Sequence, residues 1–147
     1  MVTSEFLRRY AHFSQLSPES LEKLAGMADE QTVAAGLAIF AESDPAEYLY
    51  LIVRGEVNLA CELGSGEFRV VDTLVDGELV GWAALVEPYR CHTFSTAVKE
   101  TQFVRFNAAK LRQLCEVDHV FGQRLLNQVA RLLSSRLKSA RVQLAAL

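Results

Sequence analysis

The residues best placed to do chemistry form one run, Asp76-Gly77-Glu78-Leu79-Val80-Gly81-Trp82-Ala83-Ala84-Leu85-Val86-Glu87-Pro88-Tyr89-Arg90. It opens on a turn glycine and an acid, continues as a single helical turn, and closes on proline and arginine. That combination suits a phosphate. Amides at the start of a short helical turn attract anions, glycine lets a ligand approach the backbone, and the Arg90 guanidinium offers a fork of donors. Glu78 could accept hydrogen bonds from sugar hydroxyls. The same run also reads as a loop tied by a Glu78–Arg90 ion pair. Elsewhere the reactive side chains are scattered. Cys61, Cys91 and Cys115 include no CxxC pair, and His12, His92 and His119 include no HExxH. This argues against a disulfide framework and against a thiolate metal site. No GxSxG, Walker A or GxGxxG motif occurs, so the expectation is a binding module with no enzymatic activity, metal or cofactor.

Short strands joined by tight turns must carry this loop. Between Gln31 and Phe106, Gly36, Asp44-Pro45, Arg54-Gly55, Gly64-Ser65-Gly66 and Asp76-Gly77 supply breaks, as turn chemistry requires. They separate Leu37–Phe40, Tyr48–Val53, Glu56–Leu63, Phe68–Leu74 and Phe103–Phe106. With no long helices between them, these strands predict an antiparallel roll or barrel. Helices flank it. Phe6, Tyr10 and Phe13 recur at helical spacing, and Ser17-Pro18 caps a second helix with Leu21, Leu24 and Met27 on its apolar stripe. Asn107 caps a helix over Ala108–Cys115, and Asp118 caps one that runs to the end.

The chain has 147 residues, half of them apolar and 22% charged, an ordinary globular composition that one domain accommodates. No apolar run reaches the ~18–20 residues of a membrane span, and no secretory h-region follows Met1. A cytoplasmic protein with no membrane partner is expected. The net charge of −3 divides unevenly: residues 119–147 hold Arg124, Arg131, Arg136, Lys138 and Arg141 and no acid. Five bases over that length read better as a solvated helix face than as a nucleic-acid surface. On this last helix Leu126, Ala130, Leu133, Leu137, Ala140, Leu144 and Leu147 alternate four and three apart. That is a heptad seam, which predicts a homodimer. Phe121, Leu125, Val129 and Leu132 form a second stripe that can pack on the roll.

The order of helices, roll, Gly-Glu-Leu segment with a following arginine, short helix and long helix resembles the cyclic-nucleotide-binding domain. Within that superfamily it is most similar to the sensor half of catabolite-activator/FNR-type bacterial regulators. Tyr48-Leu-Tyr-Leu-Ile-Val-Arg-Gly-Glu-Val, Gly77-Glu78-Leu79, Lys110-Leu-Arg-Gln-Leu and the helix after Asp118 carry the likeness. The resemblance implies an α+β, mainly β fold: an antiparallel β-roll or jelly-roll barrel in a single domain, 1–147. N-terminal helices would occupy 1–27, the roll 28–106 with a phosphate-binding cassette at 77–90, and two C-terminal helices 107–147. It implies cAMP or cGMP as ligand, bound by a sensor that couples occupancy to the dimer helix. Gly77 would open the cassette, Glu78 would hold the ribose 2′-hydroxyl, and Leu79, Val80 and Arg90 would face the cyclic phosphate.

The sequence departs from that pattern at three places. Glu78 and Arg90 stand farther apart than is usual, and counting back from Ala97 puts Cys91 at the usual arginine position. Cys91 and His92 follow Arg90 where a small hydroxyl residue is common. Near the level of the base stand Ser134, Ser135 and Arg136. Two alternatives stay open: a dimeric scaffold of the same fold that has lost nucleotide binding, and a pocket for another ligand with Cys91 or His92 as a redox or haem contact. Such regulators continue into a helix-turn-helix, whereas this chain as given stops at Leu147, so DNA binding by these residues is not expected.

Overall fold

Strand β3 (Tyr48–Arg54) shows how the roll is built. In the computed structural model, which describes residues 1–147, its side chains alternate between two cores. Leu49 and Leu51 face the helices, whereas Tyr50 and Ile52 face the interior between two sheets. A strand buried on both sides must read as a continuous apolar run, and Tyr48–Val53 does. β3 lies in an antiparallel sheet of order β1-β8-β3-β6, made with Ala28–Val33, Thr101–Asn107 and Leu79–Val80. The second sheet has the order β2-β7-β4-β5, from Ala38–Phe40, Phe94–Ala97, Glu56–Glu62 and Phe68–Val75. No strand pairing joins the two sheets, so the roll is not a closed barrel.

Helices α1 (Ser4–Arg8), α2 (Pro18–Gly26), α3 (Ala108–Val117) and α4 (His119–Ala145) cover the first sheet. The expected caps form: Ser17, Asn107 and Asp118 side chains accept the amides of Ser20, Lys110 and Phe121. The first helix is shorter than its spacing predicts. After Arg8 the chain tightens into turns, with Tyr10 N–H donating to Leu7 O and Phe13 N–H to Tyr10 O. This drives Phe13 fully into the core against Phe106, ring centroids 5.7 Å apart. Two strands went unread: β1, whose residues are largely polar, and β6, with only two residues; β7 was marked only by Ala97. α4 is seated by Phe121, Leu125 and Val129, all at most 2% exposed. The predicted second stripe therefore does pack on the roll. From residue 137 onward every residue of α4 is exposed.

Candidate ligand-binding site

Two glycines shape the cassette. Gly77 (φ +85°) turns the chain out of β5, and Gly81 (φ +86°) turns it out of β6. A Cβ on Gly81 would stand 3.0 Å from the Tyr48 carbonyl oxygen, so the site has no room for a side chain there as well as a backbone that disfavours one. One 3₁₀ turn follows, Trp82–Leu85, with Ala84 N–H donating to Gly81 O at 3.0 Å. The helical turn of the cassette thus starts at Trp82. Leu79 and Val80, expected to lend amides to a phosphate, are instead in β6, paired with Leu51 and Tyr50. Their side chains are buried and form part of a cavity wall.

That cavity, of about 230 Å³, lies between the cassette, the second sheet and α4. Trp82 and His92 stack along it, centroids 4.8 Å apart and planes 15° from parallel. α4 contributes Leu132, Arg136 and Ala140, each four residues from the next and so on one helix face. Arg136 reaches across to the roll. Its Nη2 donates to Glu78 Oε1 at 2.8 Å and its Nη1 to Asp72 Oδ1 at 3.3 Å. The second Glu78 oxygen, Oε2, accepts the Val75 amide at 2.8 Å. Both Glu78 oxygens are therefore engaged by one donor each, which leaves each a second lone pair.

The structure separates the residues that the sequence grouped. Gly77 and Glu78 sit at the β5–β6 turn, and Cys91 and His92 line the cavity. Arg90 does not. It bridges to Pro45 on the outer side of the roll, is exposed, and donates from Nη1 to Ser43 O at 3.4 Å. Successive side chains of extended backbone point to opposite faces, so Cys91 turns inward because Arg90 turns outward. Burial pushes the Cys91 thiol above its ordinary pKa, which keeps it an uncharged wall. The Glu78–Arg90 ion pair is absent; the partner of Glu78 is Arg136, 58 residues away in sequence. Of the residues at the base level, Arg136 reaches the cavity, while Ser134 and Ser135 are exposed and do not line it. Asp72 and Thr93 also line it and were missed; Trp82, in the cassette run, and Leu132, on the second stripe, line it without having been singled out as site residues. Of these, only Leu132 had a spacing signal, 132–136–140.

His12 joins the N-terminal turns to the cassette, its Nε2 donating to Gly77 O at 3.0 Å. Burial holds its pKa below the ordinary histidine value, against weaker opposing pulls from that carbonyl and from Glu78.

Comparison with known proteins agrees with this architecture. The family model "Cyclic nucleotide-binding domain" matches residues 30–118. A crystal structure from Geobacter metallireducens GS-15, of a protein assigned to cyclic nucleotide binding, is 32% identical with a TM-score of 0.86. The match covers 93% of this chain and 99% of that one. The cyclic AMP receptor protein of Thermus thermophilus is 27% identical over 90% of this chain and 59% of its own length. A CRP-like cAMP-activated global transcriptional regulator of Mycobacterium tuberculosis is 23% identical over 86% of this chain and 57% of its own. The chain thus spans less than two thirds of either curated relative. No helix is long and apolar enough to cross a membrane. With a family model matching more than half its length and the two-sheet roll in place, this chain belongs to the cyclic nucleotide-binding domain family.

Proposed function

We propose that residues 1–147 act as one regulatory sensor: a small ligand enters the cavity between roll and α4 and biases how α4 pairs with a second copy. The observation that carries this reading is the Arg136 contact. α4 supplies part of the cavity wall, and Arg136 is held by two carboxylates of the roll. A ligand that meets these groups changes how α4 is held, so binding and helix position share a coupling free energy. The partner surface is the heptad seam, where Leu126, Leu137, Leu144 and Leu147 are 43%, 52%, 70% and 100% exposed. No enzymatic step is proposed, and no element of these 147 residues is proposed to read DNA.

Cyclic AMP or cyclic GMP is the ligand that membership of the family suggests, and the names of the curated relatives carry cyclic AMP. The second reading is a sensor for another ligand. It is favoured by Arg90 lying outside the cavity and Cys91 inside it. Calorimetric titration with both nucleotides, with sedimentation of the same samples, separates the two. Saturable heat that Val71→Phe in the cavity wall abolishes supports nucleotide sensing. No heat at millimolar nucleotide removes that ligand. Sedimentation unchanged by any ligand that binds would sink the coupling.

A further inference from the structure

Charge is the feature of the cavity that least fits an anion. Arg136 is the one guanidinium that lines it, and two carboxylates already hold it, Asp72 at 3.3 Å and Glu78 at 2.8 Å. On the wall itself Asp72 and Arg136 cancel, and Glu78, which is not on the wall, engages the other guanidinium nitrogen, so no positive charge is left free for an anion. A phosphate there would compete with both carboxylates for the guanidinium and be repelled by them at short range. The inward residue at the arginine position is Cys91, a thiol that burial keeps protonated and that donates weakly.

Shape and lining point the same way. Eleven of the 16 residues around the cavity are hydrophobic, and the stacked Trp82–His92 pair gives it a flat aromatic edge. At about 230 Å³ it exceeds the roughly 150 Å³ that takes a benzene ring, and falls below the roughly 300–1,000 Å³ of sites for drug-sized ligands. That is room for a fused two-ring system. Apart from the stacked Trp82–His92 pair and the engaged Arg136, the polar side chains on the wall are Asp72, an acceptor, and Thr93, a hydroxyl. Deeper on the same face of β7 lies Ser95, fully buried, whose Oγ has no partner. Its cross-strand neighbours, Phe40 and Leu59, both line the cavity. A buried hydroxyl without a partner is uncommon enough to mark a place where a ligand's polar atom could be met.

We propose that this cavity takes an uncharged, planar, two-ring aromatic molecule with a single N–H donor, stacked on Trp82–His92 and hydrogen-bonded to Asp72, rather than an anionic nucleotide. The proposal rests on the sensor reading above and names its ligand class. Trp82 is the only tryptophan in the chain, so its fluorescence reports the cavity. The test titrates the full chain with benzimidazole, with a benzimidazole carboxylate of the same ring size, and with cyclic AMP and cyclic GMP. Trp82 emission and calorimetry are read together.

The expected result is a saturable change in Trp82 emission with benzimidazole and at least ~10-fold weaker binding of the carboxylate. The signal should be lost in Val71→Phe and, read by calorimetry, in Val71→Trp. Both substitutions fall at an exposed position on the cavity wall and off the heptad seam, so each variant should keep its circular dichroism and melting transition. Carboxylate binding as tight as benzimidazole, or a nucleotide binding tighter than either, would overturn the ligand class while leaving the sensor reading intact. Silence from all four probes would overturn this ligand class and remove both nucleotides, without touching a sensor for another ligand. Benzimidazole binding that persists in both filled variants would place it outside the cavity and overturn the proposal.

Discussion

Arg136 and Arg90 carry the same charge and opposite consequences. Arg136 is half-buried between two carboxylates; Arg90 is exposed, with one long hydrogen bond. Arg136→Met leaves Asp72 and Glu78 unpaired beside each other and should cost about 1–2 kcal/mol, more than a fully exposed ion pair. Arg90→Met should cost under about 0.5 kcal/mol. Equal shifts in the two denaturation midpoints would contradict the clamp. His12 gives a pH prediction of fixed sign. Its folded-state pKa lies below its unfolded value, so the unfolded chain binds the proton first. Stability is therefore full above about pH 6.5 and falls as pH drops through that value toward the depressed folded pKa. His12→Gln can still donate to Gly77 O but cannot titrate. Its melting temperature should decline less between neutral and mildly acid pH than that of the unmodified chain; parallel declines would clear His12 of the effect.

Between helices, the α3–α4 corner is a tight joint. A Cβ on Gly122 would stand 2.9 Å from Cys115 O and 3.1 Å from Cys115 Cβ, both on the opposing helix. Backbone has to shift to admit it. Gly26, at the end of α2, has nothing within 4 Å of such a Cβ. The same substitution should therefore have opposite signs. Gly26→Ala should stabilise by up to about 1 kcal/mol through the unfolded state. Gly122→Ala should destabilise by about 1 kcal/mol, because overpacking of about 1–3 kcal/mol outweighs the helix-propensity gain. Thermal unfolding of the two variants side by side decides it, and a stabilised Gly122→Ala would mean that α4 is free to slide.

For the whole molecule, the question is what covers the far end of α4. The helix is about 40 Å long at ~1.5 Å per residue, and its last buried side chain is Val129. Beyond it Leu137, Leu144 and Leu147 stand in line with the half-buried Leu133, an apolar strip that monomers rarely leave in water. A parallel pair of α4 helices would bury it, each fully covered leucine being worth about 1.5–3 kcal/mol. The unmodified chain should sediment as a dimer at micromolar concentration. Leu133→Glu with Leu137→Glu should sediment as a monomer while retaining its circular dichroism. A monomeric parent would remove the seam, and a dimeric double variant would put the interface elsewhere.

Sequence alone determined what depends on local pattern. Turn residues marked the breaks between strands, side-chain caps at Ser17, Asn107 and Asp118 marked helix starts, and the apolar run Tyr48–Val53 marked a strand. Each is a preference written within a few neighbouring residues, so it survives without knowledge of the fold. Tertiary structure decided the site. Whether Arg90 or Cys91 faced the cavity turned on a one-residue phase in extended backbone that short strands leave unmarked. The partner of Glu78 turned on how a helix 58 residues downstream lies across the roll. Charge pairing falls off with distance in space and is indifferent to distance along the chain, so only the folded arrangement could assign Arg136 to that carboxylate.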